Sequence, residues 1–375
     1  MRIFQILEKN RFNTGSVHQM FQAASALRER GHEVWVVSRP GEELERRARE
    51  AGLGFAGFPF RNELDLKTIR GVAHLVGEQG PDVIHVHKGL SHTLALVATW
   101  RDRVPAFVVN RGVSFPLRPW NRLKYTTRRV DRVVTVCEDI RQVIIRSGRV
   151  DPAKVVVIYA GVDLDVFDPR RWSGEEFRVE KGIDTDRFLF MQVGVREWKG
   201  WRELVDAFSD LASEYPAAAL ALVACKDPQQ EREVRDYATT AGVGDRVHPV
   251  EYRSDMARVL SAADCVIDAS WAGTGITGTI REAMALGKPV IATDCGGNRE
   301  LLSTPDVGWL VPAKERSRLA GAMREIAGDR ERREAVGRGA MAHVRAGFSK
   351  EHRIDSLERL YREIVESSPA GVRRE

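Results

Sequence analysis

The stretch from Cys265 to Gly297, CVIDASWAGTGITGTIREAMALGKPVIATDCGG, contains the pattern that decides the fold of this 375-residue chain. An apolar strand leads into a Gly/Thr-rich loop, then into a helix start that carries Glu282, and then into a second strand that ends at Gly296-Gly297. A glycine-rich turn at a helix N-terminus exposes backbone N–H groups, and the helix dipole adds roughly half a positive charge there. The pattern therefore predicts a site for phosphate groups, and hence a nucleotide or nucleoside diphosphate as ligand.

The same alternation of apolar strand and amphipathic helix extends over the rest of the chain. The predicted strands are Arg2–Leu7, Glu33–Ser38, Val83–His87, Ala106–Asn110, Arg132–Cys137, Val155–Tyr159, Phe188–Val193, Ala219–Ala224, Val247–Val250, Cys265–Ala269, Pro289–Ala292 and Trp309–Val311. Strands that alternate with helices favour an α/β fold with parallel sheets covered on both faces. The pattern lapses between Asp163 and Asp184, which we interpret as an interdomain linker. We therefore expect two Rossmann-like domains that face each other across a cleft.

Composition narrows the class of protein. With 43% hydrophobic and 30% charged residues, the chain is typical of globular proteins, and no apolar run reaches the ~20 residues of a spanning helix. The N-terminus lacks the apolar region of a secretory signal. Four cysteines without a C-x-x-C pair indicate buried thiols in a reducing compartment, so we expect a cytoplasmic protein.

The net charge of +5 is unevenly distributed along the chain. Residues 1–165 hold 26 Lys and Arg against 18 Asp and Glu, which gives +8, and the remainder is at −3. Part of this charge lies in Arg111–Arg132, where seven basic residues and one acid are interleaved with Phe115, Trp120 and Tyr125. Such a segment suits an anionic membrane surface, a phosphorylated lipid or nucleic acid, but it is also typical of an ordinary solvated helix.

The glycines of the opening stretch allow a second interpretation. Gly273, Gly275 and Gly278 spell G-x-G-x-x-G, and Asp294 follows about 20 residues later, as in a dinucleotide fingerprint. That fingerprint normally opens its domain, whereas three strand–helix units come before it here. The continuation through Glu282 and Gly296-Gly297-x-x-Glu300 favours a glutamate that reaches ribose hydroxyls while the helix start holds a diphosphate, although Glu282 could simply complement the helix dipole.

Three further segments follow predicted strands. In Gly194–Gly200, Arg196 and Lys199 could stabilise the negative charge on a departing nucleoside diphosphate without a metal ion, although loop cations are usually solvated. Gly15, in Asn13-Thr14-Gly15-Ser16, precedes a helix and could let a ligand approach the backbone closely. The same four residues could also be an ordinary helix N-cap. His87 and Lys88 end a strand, and the neighbouring histidines His85 and His92 favour packing over metal binding because no complete ligand set accompanies them.

Together these motifs resemble the GT-B glycosyltransferases, specifically the retaining family-four group (glycosyl transferases group 1). The segments that carry the resemblance are the glycine loop at Gly15, Val155–Phe167 (VVVIYAGVDLDVF), Gly194…Lys199-Gly200, Cys265–Ala269, Arg281-Glu282-Ala283-Met284-Ala285 and Gly296-Gly297-x-x-Glu300. The resemblance implies an acceptor-binding domain over 1–165, a nucleotide-sugar domain over 166–348, and a C-terminal segment, 349–375, whose helix returns to the first domain. It also implies a nucleotide-diphosphate-sugar donor, a saccharide or lipid-linked acceptor, and retention of anomeric configuration. The donor would be a substrate, and we expect no metal, no cofactor and no nucleic acid partner.

The resemblance also assigns roles to residues. The expected catalytic residues are Arg196, Lys199 and Glu282. The expected donor-binding residues are Gly15, Gly194, Thr274, Gly275, Ile276, Thr277, Gly278 and Glu282. The expected acceptor-binding residues are His87, Lys88 and Arg111.

The chain departs from the family pattern at several of these positions. Thr274 stands where the family usually has the first of two glutamates, and Arg111 stands where a histidine is common. An arginine cannot be a general base and would better bind an anionic group. Ala160 replaces the usual Asn before Gly-Val-Asp, and Arg196 is one place off the common Gly–Arg spacing. We expect the setting to be cell-envelope polysaccharide, lipopolysaccharide or glycolipid synthesis. A nucleotide-sugar epimerase of the same fold, an NAD-dependent oxidoreductase and a non-catalytic sensor remain as alternatives.

Overall fold

The structure is a computed structural model that describes residues 1–12, 15–272 and 275–368. The chain divides into two compact units, Met1–Gly161 with the C-terminal segment from Lys350, and Val162–Ser349. The described residues form one parallel sheet in each unit, seven-stranded in the first and six-stranded in the second. This α/β architecture of two Rossmann-like units agrees with the predicted fold class.

The first unit alternates strands and helices from its N-terminus. Its strands are β1 (Arg2–Leu7), β2 (Glu33–Ser38), β3 (Gly54–Gly57), β4 (Val83–Val86), β5 (Ala106–Arg111), β6 (Arg132–Thr135) and β7 (Val155–Val157). Its helices are α1 (Gly15–Glu29), α2 (Glu42–Glu50), α3 (Leu66–Gln79), α4 (Gly89–Ala98), α5 (Arg122–Thr126) and α6 (Glu138–Gly148), with α15 (Lys350–Ser367) added from the chain's end. The sheet order is β3-β2-β1-β4-β5-β6-β7. The order therefore reverses between β1 and β4, where open α/β sheets bind ligands.

The second unit repeats the same plan. Its strands are β8 (Phe188–Val193), β9 (Ala218–Cys225), β10 (Val247–Glu251), β11 (Cys265–Asp268), β12 (Val290–Thr293) and β13 (Trp309–Val311). Its helices are α7 (Glu175–Glu180), α8 (Trp201–Ala212), α9 (Pro228–Thr240), α10 (Met256–Ser261), α11 (Gly278–Ala285), α12 (Asn298–Leu301), α13 (Arg316–Gly328) and α14 (Arg330–Gly347). The order β10-β9-β8-β11-β12-β13 places the switch point between β8 and β11.

The strands are nearly continuous apolar runs because helices cover both faces of a parallel sheet. In β1, RIFQIL, every residue after Arg2 is buried, and Gln5 is the one polar residue among them. The buried side chains of each unit form a separate apolar cluster. Short β3 (GFAG) escaped the sequence analysis because two of its four residues are glycines, which carry no strand signal.

Helix α15 packs on the core of the first unit. Ile354, Leu357, Tyr361 and Ile364 recur at helical spacing and are buried there. The predicted linker 163–184 is partly ordered, because α7 lies inside it and buries Phe177 completely. The Arg178 side chain fixes this helix to the second unit by donating to the Ala262 carbonyl and to Asp264. The segment is therefore part of the second unit.

Candidate functional site

The loop after β8 presents Lys199 at the switch point of the second unit. Gly194 and Gly200 both have positive φ, of 100° and 67°, which glycine adopts without strain. A Cβ on Gly200 would collide with the Ala269 carbonyl oxygen just after β11. Gln192 connects the two strand ends, since it accepts from the Ala269 N–H (3.0 Å) and donates to the Lys199 carbonyl (3.1 Å). Glycine is thus required for this loop to pack against β11.

A buried carboxylate, Asp268, lies at the carboxyl end of β11 and holds Lys199. Lys199 Nζ lies 3.0 Å from Asp268 Oδ1, which also accepts from the Ser270 hydroxyl at 2.7 Å. The other oxygen, Oδ2, accepts from Thr277 Oγ1 at 2.7 Å and from Asn298 Nδ2 at 3.1 Å. One carboxylate therefore joins the β8 loop, the residue before α11 and the start of α12.

The charge state of Asp268 follows from these contacts. Burial alone would raise its pKa, but the Lys199 ammonium and the hydroxyl donors prevail and lower it below the usual range. Asp268 is therefore ionised at neutral pH and gives Lys199 a fixed counter-charge.

The second predicted cation, Arg196, is exposed in the same loop. Its guanidinium lies 5.8 Å from the centre of the Trp198 ring, and Lys199 Nζ lies 5.3 Å from that ring. The loop is tied to the segment after β11, because Trp271 donates its backbone N–H to the Trp198 carbonyl at 2.9 Å. Both cations thus belong to one ordered loop.

The start of α11 lies next to this cluster. Thr277 is the N-cap residue, and its backbone N–H donates to Asn298 Oδ1 at 3.3 Å. Gly278 is the first helical residue, Ile276 is buried, and the Gly275 carbonyl accepts from the Gly297 N–H at 3.2 Å. The predicted donor residue Thr274 lies outside the described residues.

Glu282 lies one turn into α11 and is half-buried. Burial raises the pKa of its carboxyl, and the neighbouring Arg281 offsets part of that effect. Its Oε1 would lie 3.7 Å from a Cβ placed on Gly278, so the carboxylate points back toward the start of the helix. This orientation suits a group that binds hydroxyls next to a phosphate.

The predicted acceptor residues His87 and Lys88 lie in the first unit, at the end of β4. His87 is buried, and its Nε2 lies 2.5 Å from Gln5 Oε1. Burial lowers its pKa well below the usual value, with the neighbouring His85 and Arg353 adding to the effect, so the ring is neutral at pH 7. Lys88 is half-buried at the N-cap of α4, and burial lowers its pKa too.

Arg111 ends β5 and is occupied by its own loop. Its guanidinium donates to the carbonyls of Val113 and Phe115. Gly15, at the start of α1, also lies in the first unit, whereas the other predicted donor residues lie in the second. No atom lies within 4 Å of a Cβ built on Gly15, so nothing in the described residues crowds that position.

The basic segment 111–132 divides into an exposed part and a buried part. Phe115, Trp120 and Leu123 are exposed. Trp100, which follows α4, is exposed as well, and Arg129 of the segment lies 4.8 Å from its ring. Tyr125 instead is buried, with its ring 4.9 Å from His92. We use the name basic–aromatic surface for the exposed side chains of this region and the two arginines that lie over them, namely Trp100, Phe115, Trp120, Leu123, Arg118 and Arg129.

Several site residues escaped the sequence analysis. The sequence predicts Asp268 only as part of an apolar strand, and it leaves Asn298 as an unspecified position in the Gly296-Gly297-x-x-Glu300 motif. An acid as the last residue of an otherwise apolar strand was the available signal, because a charge there needs a partner. Within the described residues no group of three or more His, Cys, Asp or Glu could hold a metal ion. No helix in those residues is both long and apolar enough to cross a bilayer.

Two family models match the chain in succession. The model described as Glycosyltransferase Family 4 matches residues 14–166. The model described as Glycosyl transferases group 1 matches residues 186–329. The first covers most of the first unit, and the second contains Lys199, Asp268 and Glu282.

Curated relatives are similar over most of their length. The UDP-Gal:alpha-D-GlcNAc-diphosphoundecaprenol alpha-1,3-galactosyltransferase of Escherichia coli is 22% identical, with 80% of each chain covered. The D-inositol 3-phosphate glycosyltransferase of Thermomonospora curvata is 27% identical, with 90% of this chain and 83% of that protein covered.

Solved structures share the fold. A glycosyltransferase from Rickettsia africae ESF-5 superimposes with a TM-score of 0.89 at 20% identity, over 98% of this chain and 99% of that one. Anabaena Alr3699/HepE in complex with UDP superimposes with a TM-score of 0.84 at 19% identity, over 97% and 100% of the two chains. At such identities the likeness establishes the architecture alone.

Proposed function

We propose a reaction for this chain, which belongs to the GT-B glycosyltransferases of family 4, group 1, and is a transferase that uses nucleotide sugars. In this reaction it moves a sugar from a nucleotide-diphosphate sugar to an acceptor hydroxyl with retention of anomeric configuration. The setting we propose is the synthesis of cell-envelope polysaccharide, lipopolysaccharide or glycolipid. The donor is a substrate in this proposal, and neither a metal ion nor a cofactor takes part.

The observation that carries the proposal is the ammonium of Lys199 held at the β8–β11 switch point beside the start of α11. A diphosphate that leaves the sugar carbon gains negative charge in the transition state. A cation that the protein has already oriented stabilises that charge without reorganisation. Lys199 is oriented by Asp268, and Arg196 in the same loop supplies a second, exposed cation.

The remaining donor contacts follow from α11. Gly275, Ile276 and Gly278 approach the diphosphate through their backbone, and the Glu282 carboxylate accepts hydrogen bonds from ribose hydroxyls. UDP and UDP-glucose are bound by Anabaena Alr3699/HepE, which supports a donor of this class. The acceptor hydroxyl attacks from the face that the diphosphate leaves. Its proton passes to a phosphate oxygen, because Arg111, which stands where a basic histidine is common in the family, cannot act as a general base.

The acceptor in this proposal carries a negative charge. Lys88 and Arg111 are cationic and lie at the carboxyl ends of neighbouring strands, β4 and β5, and His87 beside them is neutral. Two relatives are named for phosphorylated acceptors, a diphosphoundecaprenol-linked sugar and inositol 3-phosphate. Both acceptors are anionic, which supports a negatively charged acceptor for this chain. The basic–aromatic surface would hold the first unit against the anionic cytoplasmic face of a membrane, where a lipid-linked acceptor is anchored.

Substitution at the donor site tests the proposal. Lys199→Ala or Glu282→Ala should reduce turnover at least tenfold, since each removes a charge-assisted contact of about 1.5–3 kcal/mol. The nucleotide sugar is first identified by thermal shift with UDP-, GDP- and ADP-sugars. Turnover is then measured with a mixture of lipid-linked and free saccharide acceptors, and NMR of the product gives the anomeric configuration.

A matched control separates the site from general damage. Lys181→Ala removes a lysine that pairs with Glu251 at 2.7 Å at the end of α7, and we expect unchanged turnover. Wild-type rates in both site variants would reject the assignment. An inverted product would reject the retaining mechanism while leaving the transferase intact.

A further inference from the structure

Arg281 is a buried cation that the described residues leave without a hydrogen-bond partner. Its side chain lies in α11, immediately before Glu282, and the residue is only 3% exposed. Neither Nε nor Nη1 has an acceptor among the residues that the structure describes. A buried charge without a partner costs several kcal/mol, so buried arginines are normally paired. Arg178 in the same unit is also buried, at 7% exposed, and its guanidinium is fully paired, because it donates to several carbonyls and to Asp264.

The guanidinium is aimed at the start of α11. Helical side chains lean toward the N-terminus of their helix. The Nη2 atom of Arg281 would lie 3.9 Å from a Cβ placed on Gly278, and Oε1 of Glu282 would lie 3.7 Å from the same point. Glycine at the first helical position thus leaves open a space that is bordered by one cation and one carboxylate.

No protein group in the described residues completes this arrangement. The carboxylate of Asp268 already accepts four hydrogen bonds from other residues. Burial lowers the pKa of the Arg281 guanidinium, and Glu282 is the one acid that counters this effect. Adjacent residues of a helix do not face each other, so Glu282 is a neighbour of Arg281 rather than its ion-pair partner. Within the described residues, the Arg281 guanidinium therefore has room for an acceptor that no side chain there supplies.

We propose that Arg281 is a donor-binding residue that takes an anionic oxygen of the nucleotide sugar at the start of α11. The proposal rests on the proposed function and adds a third cation to Lys199 and Arg196. Such an oxygen has two possible sources, the diphosphate of any donor or the carboxylate of an acidic sugar. In the first case Arg281 contributes to affinity for every donor, and in the second it selects a hexuronate.

The variant Arg281→Met tests the proposal, because methionine fills a similar buried volume without charge. Isothermal titration calorimetry gives the Kd for UDP, UDP-glucose and UDP-glucuronate, or for the GDP or ADP compounds if the wild type prefers them. A loss of at least tenfold for all three ligands identifies the diphosphate. A loss of that size for the glucuronate alone identifies the sugar carboxylate.

The contrary outcomes are distinct. Unchanged affinity for all three ligands overturns the role of Arg281 while the proposed function stands. A wild-type protein that binds no nucleoside diphosphate overturns both. The control Arg324→Met removes a partly exposed arginine on α13 that pairs with Glu214 at 2.7 Å, and its affinities should match the wild type.

Thermal stability provides a second readout. We expect Arg281→Met to melt at a higher temperature than the wild type without ligand, because the unpaired buried charge is gone. A lower melting temperature with intact affinities would assign Arg281 a structural role and overturn the proposal. If the methionine variant does not fold, Arg281→Lys keeps the charge but loses the planar fork, and it should still bind the diphosphate several-fold more weakly. Wild-type affinity of the lysine variant would then overturn the proposal.

Discussion

Asp268 is the residue on which the geometry of the proposed donor site depends. It ends β11, is 1% exposed, and accepts from a lysine, two hydroxyls and an amide. Its role is indirect, because it orients Lys199 and Thr277, which lie in two different loops. We therefore regard it as a positioning residue.

Two substitutions of Asp268 distinguish its effect on the orientation of Lys199 from its effect on folding stability. Asp268→Ala breaks a buried ion pair and should cost about 3 kcal/mol of unfolding free energy, seen as a lower melting temperature. Asp268→Asn keeps the shape, so its loss of stability should be smaller. It should still lower donor affinity and kcat several-fold, because Lys199 loses its counter-charge.

The control for Asp268 lies at the other end of the same strand. Asp264 precedes β11, accepts from the Leu189 N–H at 2.7 Å and pairs with Arg178. Asp264→Asn should lower the melting temperature without changing the Kd of the donor. Equal losses of donor affinity in the Asp264 and Asp268 variants would show that Asp268 acts only through stability.

At the scale of elements, helix α15 extends the first unit with a segment from the far end of the chain. Besides its apolar face, its Glu358 accepts hydrogen bonds from Arg30 at 3.0 Å and from His32 at 3.1 Å. Burial acts to raise the pKa of Glu358, but these donors and Arg362 outweigh it and lower the pKa to about 2. An ionised Glu358 therefore stabilises the attachment of α15 to α1 and β2.

This shift makes acid stability depend on α15. The folded-state pKa lies below the unfolded value, so the contribution is present above about pH 4.5 and is lost as the pH falls toward 2. Glu358→Gln should lower the free energy of unfolding at pH 7 by on the order of 1 kcal/mol, since much of the network is solvent-screened. The difference from wild type should shrink between pH 5 and pH 3, as calorimetry at several pH values would reveal. The control Glu334→Gln removes an exposed carboxylate that pairs with Arg330 on the same helix. It should change neither the free energy of unfolding at pH 7 nor its dependence on pH measurably. A constant difference across that range would exclude Glu358 as the source.

The sequence predicted most elements because their signals are local. Strands β1, β2, β8 and β13 have the predicted bounds, as an apolar β-branched run between turn residues favours a strand wherever it occurs. By contrast, the sequence does not predict α7, because its residues EEFRVE are mostly charged. Tertiary contacts hold the helix in place: Phe177 is buried, Arg178 donates to the Ala262 carbonyl, and Glu180 pairs with Arg253.

At the scale of the whole molecule, the net positive charge lies in the first unit, which also has three of the five exposed aromatic side chains of the described residues. Trp100, Phe115, Trp120 and Leu123 are each more than half exposed. Arg118 lies 5.5 Å from the Trp120 ring and Arg129 lies 4.8 Å from the Trp100 ring, so cations accompany two of the three aromatics. Cations beside interfacial aromatics favour an anionic bilayer surface.

Vesicle binding tests this surface in the full chain. The wild type should sediment with phosphatidylcholine vesicles that contain phosphatidylglycerol, and should do so less at high salt, because screening weakens the attraction. The double variant Arg118→Ala/Trp120→Ala should bind several-fold more weakly. Trp172→Ala, at a partly exposed tryptophan of the second unit, is the control and should bind like the wild type. Equal binding to vesicles without phosphatidylglycerol, or no effect of the double variant, would contradict a membrane role.

Local sequence patterns predict the alternation of strands and helices, the glycine turn after β8 and the family, because each of these depends on residues close together in the chain. Which charges meet depends on tertiary packing. Lys199 and Asp268 are 69 positions apart, and packing of the β8 loop against the end of β11 brings them to 3.0 Å. Tertiary packing likewise buries Arg281 without an acceptor among the described residues, since burial and pairing depend on neighbours that no local pattern specifies.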